Sequence, residues 1–280
     1  MNMPNRITHN HIAAWAVAFA VLFVASGAFA QSAREVLGAA AVEPLENEPP
    51  AKIIIDSPLA EPLSHGRIVI QYRTENLHTV PVFGPAALAV SPRIGHIHLS
   101  VDDAPWVWVN ASGEPVIVNG LPPGPHKVLL QLETANHRLL DQASVKFTVP
   151  GAPEMVHGGA AVQSVQNGPP AKLIVDPPLA EPLSRGVLFV QYRAENLKIV
   201  PVFGPAALAV SPRVGHIHVT VDEAAWHWAD SSGGPIVING LQPGQHKILI
   251  ELVNANHQPI DQDRVEFTVP VAAVAVHERP

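Results

Sequence analysis

The chain has 280 residues, a formal net charge of −7 and no cysteine. The lack of cysteine excludes disulfides, thiolate metal sites, a cysteine nucleophile and a lipidated cysteine anchor, so stability has to come from packed cores. An acidic balance without a basic cluster excludes a nucleic-acid partner, and 29 prolines among 47% apolar residues describe a folded chain with many turns.

In chain order, residues 1–30 read as a cleavable signal peptide: Arg6 in a weakly basic start, an apolar run from Ile12 to Ala25, then Ala28-Phe29-Ala30 ahead of Gln31. That run is shorter than the roughly 20 residues a membrane-spanning helix needs. No second run follows, so the expected mature product is a periplasmic or secreted protein with no membrane span. After a linker at 31–50 comes a unit at 51–150 that returns at 171–270 without a gap, with more than half of its positions identical. The intervening linker at 151–170 matches the first at Val36/Val156, Gly38/Gly158 and Asn47/Asn167, and a tail at 271–280 closes the chain. Both linkers are rich in Ala, Gly and Pro, as tethers are.

Within one copy apolar residues recur mostly every second position, the spacing of strands. The expected strands are Lys52–Asp56, Arg67–Arg73, Gly95–Asp102, Trp106–Val109, Pro115–Asn119, a run alternating through His126, Val128, Leu130 and Leu132, and Ser144–Val149. About seven short strands per hundred residues imply an all-β chain of two tandem immunoglobulin-like β-sandwich domains. The stretch Asn76–Arg93 is long for a loop, and loops of that length usually have a task. We expect it to wall one side of the strand at Gly95–Asp102, with a single helical turn at Pro85–Val90.

That strand carries the chemistry. Side chains at i and i+2 share a face about 6.5 Å apart, so His96 and His98, like His216 and His218, can converge on a cation that needs each ring nitrogen at about 2.0–2.1 Å. Each copy offers two further histidines as a third ligand, His126 and His137 in the first and His246 and His257 in the second. His126 shares the parity of Val128 and Leu130, which suits a structural corner. His137 sits in Ala-Asn-His at a hairpin tip, where Asn136 and Asn256 serve the turn. The metal implied is copper or zinc. Trp106 and Trp108, and likewise Trp226 and Trp228, share strand faces. They read as core packing or, with His227 and the apolar 80–90 segment, as a concave ligand surface.

The ending Leu121-x-Pro-Gly-x-His, alternating strand, Phe-Thr-Val resembles the last two strands of bacterial Ig-like domains. The whole unit resembles a group of uncharacterised exported bacterial domains that pair a G-H-H-H-L-x-x-D strand with a P-P-G-x-H-T turn. The first motif falls on Gly95, His96, Ile97, His98, Leu99 and Asp102, and again on Gly215, His216, Ile217, His218, Val219 and Asp222. The turn falls on Pro122, Pro123, Gly124 and His126. Ile97 replaces the middle histidine and Lys127 the threonine. The resemblance implies fold and export, and no activity. Periplasmic copper carriers are similar in fold alone, since they place a histidine where this mature chain would have Gln31-Ser32.

No G-x-S-x-G, phosphate loop or H-E-x-x-H occurs. A metal-dependent hydrolase on His96 and His98 would need a third ligand, a carboxylate base and an open coordination position. The expected function is therefore that of an exported, non-enzymatic binding protein with a transition metal in each repeat. The alternative is a tandem Ig-like interaction module recognising a protein or small ligand through the tryptophan and histidine surface.

Overall fold

The computed structural model describes residues 49–151 and 168–271. The expected signal peptide and, apart from a few flanking residues, the linkers and tail lie outside the described residues. The first copy runs β1 (Lys52–Ile55), α1 (Ala60–Ser64), β2 (Arg67–Ile70), β3 (Tyr72–Glu75), β4 (His78–Thr79), α2 (Pro85–Val90), β5 (Ile94–Val101), β6 (Val107–Asn110), β7 (Val116–Asn119), β8 (Gly124–Thr134) and β9 (Leu139–Val149). The second repeats it as β10 (Lys172–Val175), α3 (Ala180–Ser184), β11 (Val187–Val190), β12 (Tyr192–Glu195), β13 (Lys198–Ile199), α4 (Pro205–Val210), β14 (Val214–Val221), β15 (His227–Asp230), β16 (Ile236–Asn239), β17 (Gly244–Asn254) and β18 (Pro259–Val269). The all-β expectation holds, as two tandem sandwich-like units built on seven-stranded sheets. No helix among the described residues is long and apolar enough to cross a membrane.

Each sheet draws strands from both copies. One has the order β11-β16-β6-β5-β8-β9 with β4 on β5, and the other the order β18-β17-β14-β15-β7-β2 with β13 on β14. The strands β2 and β7 of the first copy thus complete the sheet of the second, and β11 and β16 return the exchange. The crossing register places Trp108 beside Ile238, and Trp228 beside Val118. Two ribbons, β1-β3 and β10-β12, stand apart from the sheets. Each is tied to its own copy's last strand, the Ile53 amide donating to Asp141 and the Leu173 amide to Asp261.

A single apolar core joins the copies. Ile68, Ile97, Leu99, Trp108, Val118 and Leu130 are buried in it together with Leu188, Ile217, Trp228, Ile238 and Ile250. At its centre Trp106 stacks on Trp226 at 5.7 Å and Trp108 on Trp228 at 5.1 Å. Trp108 and Trp228 are buried and the other pair half-buried. The open tryptophan surface is therefore corrected: the stacked rings are the seam between the copies, where burial and stacking each favour association. Close approach at that seam requires glycine. A Cβ on Gly120 would lie 2.5 Å from the Ala225 carbonyl, and one on Gly240 2.7 Å from that of Pro105.

Candidate metal centres

On β5 the residues Ile97, Leu99 and Val101 face the apolar core and alternate with His96, His98 and Ser100, yet the polar side is buried as well. Its cover is the segment after β4. The Val80 amide donates to the Gly95 carbonyl and the Gly84 amide to that of Ala135, so this stretch bridges β5 and the β8–β9 hairpin. Phe83 lies against His96 with ring centroids 5.0 Å apart. The expected wall is present, and α2 is the expected helical turn. Gly95 lets β5 approach its neighbour: a Cβ there would lie 1.9 Å from the Glu133 carbonyl oxygen.

The third ring comes from the hairpin tip. His137 takes a left-handed φ of 64° and its amide closes a turn onto the Thr134 carbonyl. This conformation is uncommon for a residue with a Cβ and clusters where geometry serves function. His137 Nδ1 comes within 3.4 Å of His96 Nε2 and 3.2 Å of His98 Nε2. Glu133 faces the same group, directly across from His96 in the register. Its two oxygens lie 3.3 Å from His98 Nδ1 and 3.7 Å from His137 Nδ1. His96, His98, Glu133 and His137 thus offer four ligand atoms within 4.8 Å of one another.

In the second copy His216 Nε2 lies 3.2 Å from both His218 Nε2 and His257 Nδ1, and the last two are 3.0 Å apart. His257 also has a left-handed φ, 60°. An ion held by three nitrogens at about 2.0–2.1 Å in tetrahedral geometry separates them by about 3.3 Å. The triangle of the second centre is of that size, and so are the two edges that meet at His137 in the first. The same contacts also satisfy hydrogen-bond geometry between neutral imidazoles, one ring donating to the next.

The electrostatics keep these lone pairs available. Burial first, then the neighbouring His98 and His137, lower the pKa of His96 from 6.5 to about 3. Burial and the His257 and Arg67 charges bring His216 to about 3, and burial followed by Arg67 and His227 brings His257 to about 4. His218 is held well below the usual imidazole range, first by burial and then by His227. For Glu133 burial is the largest influence and acts upward. The hydrogen bonds from His137 and His98, with their charges, outweigh it and hold the carboxyl at about 2. The back nitrogens His96 Nδ1, His216 Nδ1 and His257 Nε2 have no partner among the described residues. Each such buried group costs about 1–3 kcal/mol.

His126 and His246, the other candidate third ligands, do not join the groups. His126 Nδ1 lies 2.7 Å from Asp102 and its Nε2 2.7 Å from the Pro122 carbonyl, and His246 repeats this with Asp222 and Gln242. Both are corners, tying a turn to the start of β8 or β17. His227 lies beside the second group, stacked on His218 at 4.2 Å. Glu133 was absent from the sequence expectation. Its signal was parity with His96 across a neighbouring strand, which is invisible without the pairing register. A separate cavity of about 130 Å³ between the copies is lined by Trp108, Trp228, Asn110, Glu114 and Asp230. It is small beside the ~300–1,000 Å³ of ordinary small-molecule pockets.

A family model described as a family of unknown function (DUF6130) matches the chain twice, over residues 3–157 and 151–279. No curated protein matches. Among solved structures, the fibronectin(III)-like modules of Clostridium thermocellum CbhA align over 81% of this chain and 99% of that one, at 12% identity and a TM-score of 0.25.

Proposed function

The chain belongs to this family of unknown function, present as a tandem duplication, and we propose that it is an exported, non-enzymatic protein that holds copper or zinc, one ion at each histidine centre. The observation that carries the reading is the grouping of three imidazole nitrogens in both copies, at the edge length of a tetrahedral metal site on all three sides in the second and on the two sides meeting at His137 in the first. Neutral imidazole suits copper and zinc. Holding rather than turnover is supported at the first centre by Glu133, whose carboxylate lies within 4.8 Å of the three histidine ligand atoms as a candidate fourth ligand, as in structural rather than catalytic zinc sites. Export is supported by the expected amino-terminal signal sequence, which would deliver the centres to a compartment outside the cytoplasm.

The test is elemental analysis of untagged mature protein, with calorimetric titration of zinc and copper. Two equivalents bound at pH 7.5 and largely released at pH 5.5 are expected, because protons compete for the same nitrogens. The variant His96→Ala/His98→Ala should retain one equivalent. Unchanged metal content in that variant, or no stoichiometric binding at all, would remove the proposal.

A further inference from the structure

The two centres share their three histidines and the phenylalanine that covers them, Phe83 or Phe203, and differ at a few neighbouring positions. Glu133 of the first is replaced by Val253 in the second, so no carboxylate joins His216, His218 and His257 within ligand reach among the described residues. Glu251, on β17 directly across from His218, stands where the first copy has Gln131. The strand exchange supplies the larger contrast. Beside the first centre β11 presents Val187 and Phe189, and Phe189 packs edge-on against Phe83 at 6.3 Å. Beside the second, β2 presents Arg67 and Val69 at the same register positions. An aromatic plug is exchanged for a smaller side chain and a cation.

A polar row runs across the sheet to the second centre. In register, Arg67 faces Asn119 and Asn119 faces His227. The Asn119 side-chain nitrogen lies 3.4 Å from His227 Nε2, and His227 stacks on His218. The corresponding row at the first centre is Val187, Asn239 and Val107. Arg67 is solvent-exposed, and its charge is felt at His216, His218 and His257. Three neutral imidazoles bring no negative charge to a divalent ion and leave its fourth position to another donor, and Glu251, across from His218, is not within ligand reach of all three rings. A guanidinium nearby adds positive charge, which is unfavourable unless an anion arrives between the two.

Resting on the metal reading above, we propose that the second centre completes its ion with an external small anion of the carboxylate or azide kind, recognised by Arg67, whereas the first is completed by its own Glu133. Arg67 supplies a planar fork of donors suited to a carboxylate, the smaller Val69 stands where Phe189 packs beside the other centre, and β2 is contributed by the opposite copy. The second centre thus reads a ligand that the first does not.

The test uses the mature chain loaded with cobalt(II), whose visible absorption reports coordination, titrated with azide and with acetate. The variant His96→Ala/His98→Ala, which keeps the second centre, should show a saturable spectral change. The variant His216→Ala/His218→Ala, which keeps the first, should respond at least tenfold more weakly. Arg67→Gln in the former background should weaken azide binding about tenfold, the scale of one charge-assisted hydrogen bond, while Arg73→Gln, on the neighbouring ribbon, should not. Should a double variant fail to fold, Val253→Glu in the full chain places a carboxylate at the second centre and is expected to abolish the azide response. Cobalt bound at both centres with equal azide affinity, or an unaltered response in Arg67→Gln or Val253→Glu, overturns this inference alone. Failure to bind cobalt at either centre overturns it together with the metal reading.

Discussion

At the scale of single residues, the histidines of the centres are held in a state water would not give them. An imidazole near 6.5 in the unfolded chain is brought to about 3 at His96 and His216 and to about 4 at His257. Between those values and about 6.5 the unfolded chain binds protons that the folded metal-free protein refuses. Stability from these groups is therefore complete above about pH 6.5 and declines as pH falls, by about 1.4 kcal/mol per unit for each histidine. Thermal unfolding of metal-free protein at pH 7.5, 6.5 and 5.5 should show the midpoint dropping steadily below 6.5, with protons taken up on unfolding. Glu133 acts lower, its contribution being lost only from about 4.5 down towards 2. A midpoint that is flat between pH 6.5 and 5.5 would mean these rings are neither buried nor neutral. His137 makes a second case. Its left-handed φ is tolerable for His but favours Asn or Gly, so His137→Asn should keep the turn while removing a ligand. Titration should show zinc affinity at the first centre falling by at least about a hundredfold, against the ten- to hundredfold typical of removing an outer partner, with the unfolding midpoint little changed. An affinity within a few-fold of the parent would exclude His137 as a ligand.

Elements position those residues through close approach. The Gly95→Ala variant places a methyl 1.9 Å from the Glu133 carbonyl oxygen, a clash with backbone that rotamer change cannot relieve. A loss of about 2–3 kcal/mol or more, at the upper end of ordinary overpacking, is expected in urea unfolding, with weakened metal binding at the first centre because β5 and β8 carry its ligands. Stability unchanged within error would show that the strands are less tightly apposed than described. The period-two pattern of Gly95–Asp102 was enough to place His96 and His98 together on one face. The length of Asn76–Arg93 was enough to expect a wall. What could not be read was long-range. The convergence of His137 depends on a left-handed turn, and the place of Glu133 depends on pairing with His96 across two strands. The exchange was hidden for another reason: β7 reads Val-Ile-Val-Asn and β16 reads Ile-Val-Ile-Asn, so a pattern that fits its own copy fits the other equally well. The tryptophans, legible as either core or surface, are resolved by that same exchange, since stacking Trp106 on Trp226 requires both copies.

For the whole molecule, duplication and exchange together explain how two nearly equal repeats come to hold unequal centres. Were each copy closed on itself, β2 of the first would lie beside the first centre. Exchange instead places Arg67 beside His216, His218 and His257, and Phe189 beside His96 and His98. Substitutions in one copy are thereby expressed at the other's centre. The arrangement also means that neither copy alone has a complete sheet. Residues 31–158 and 159–280, co-expressed as separate chains, should copurify one to one and bind two equivalents of zinc. The first of them expressed alone should form a homodimer in light scattering, because its own β7 and β2 can replace β16 and β11 of the missing copy at the same register. Each centre of that homodimer would then combine Glu133 with Arg67, joining internal carboxylate and guanidinium at one site, so its cobalt form should resist azide despite the arginine. A monomeric first half that is stably folded and binds zinc with parental affinity would show that a copy can close its own sheet, and with it the account of unequal centres through exchange would fall.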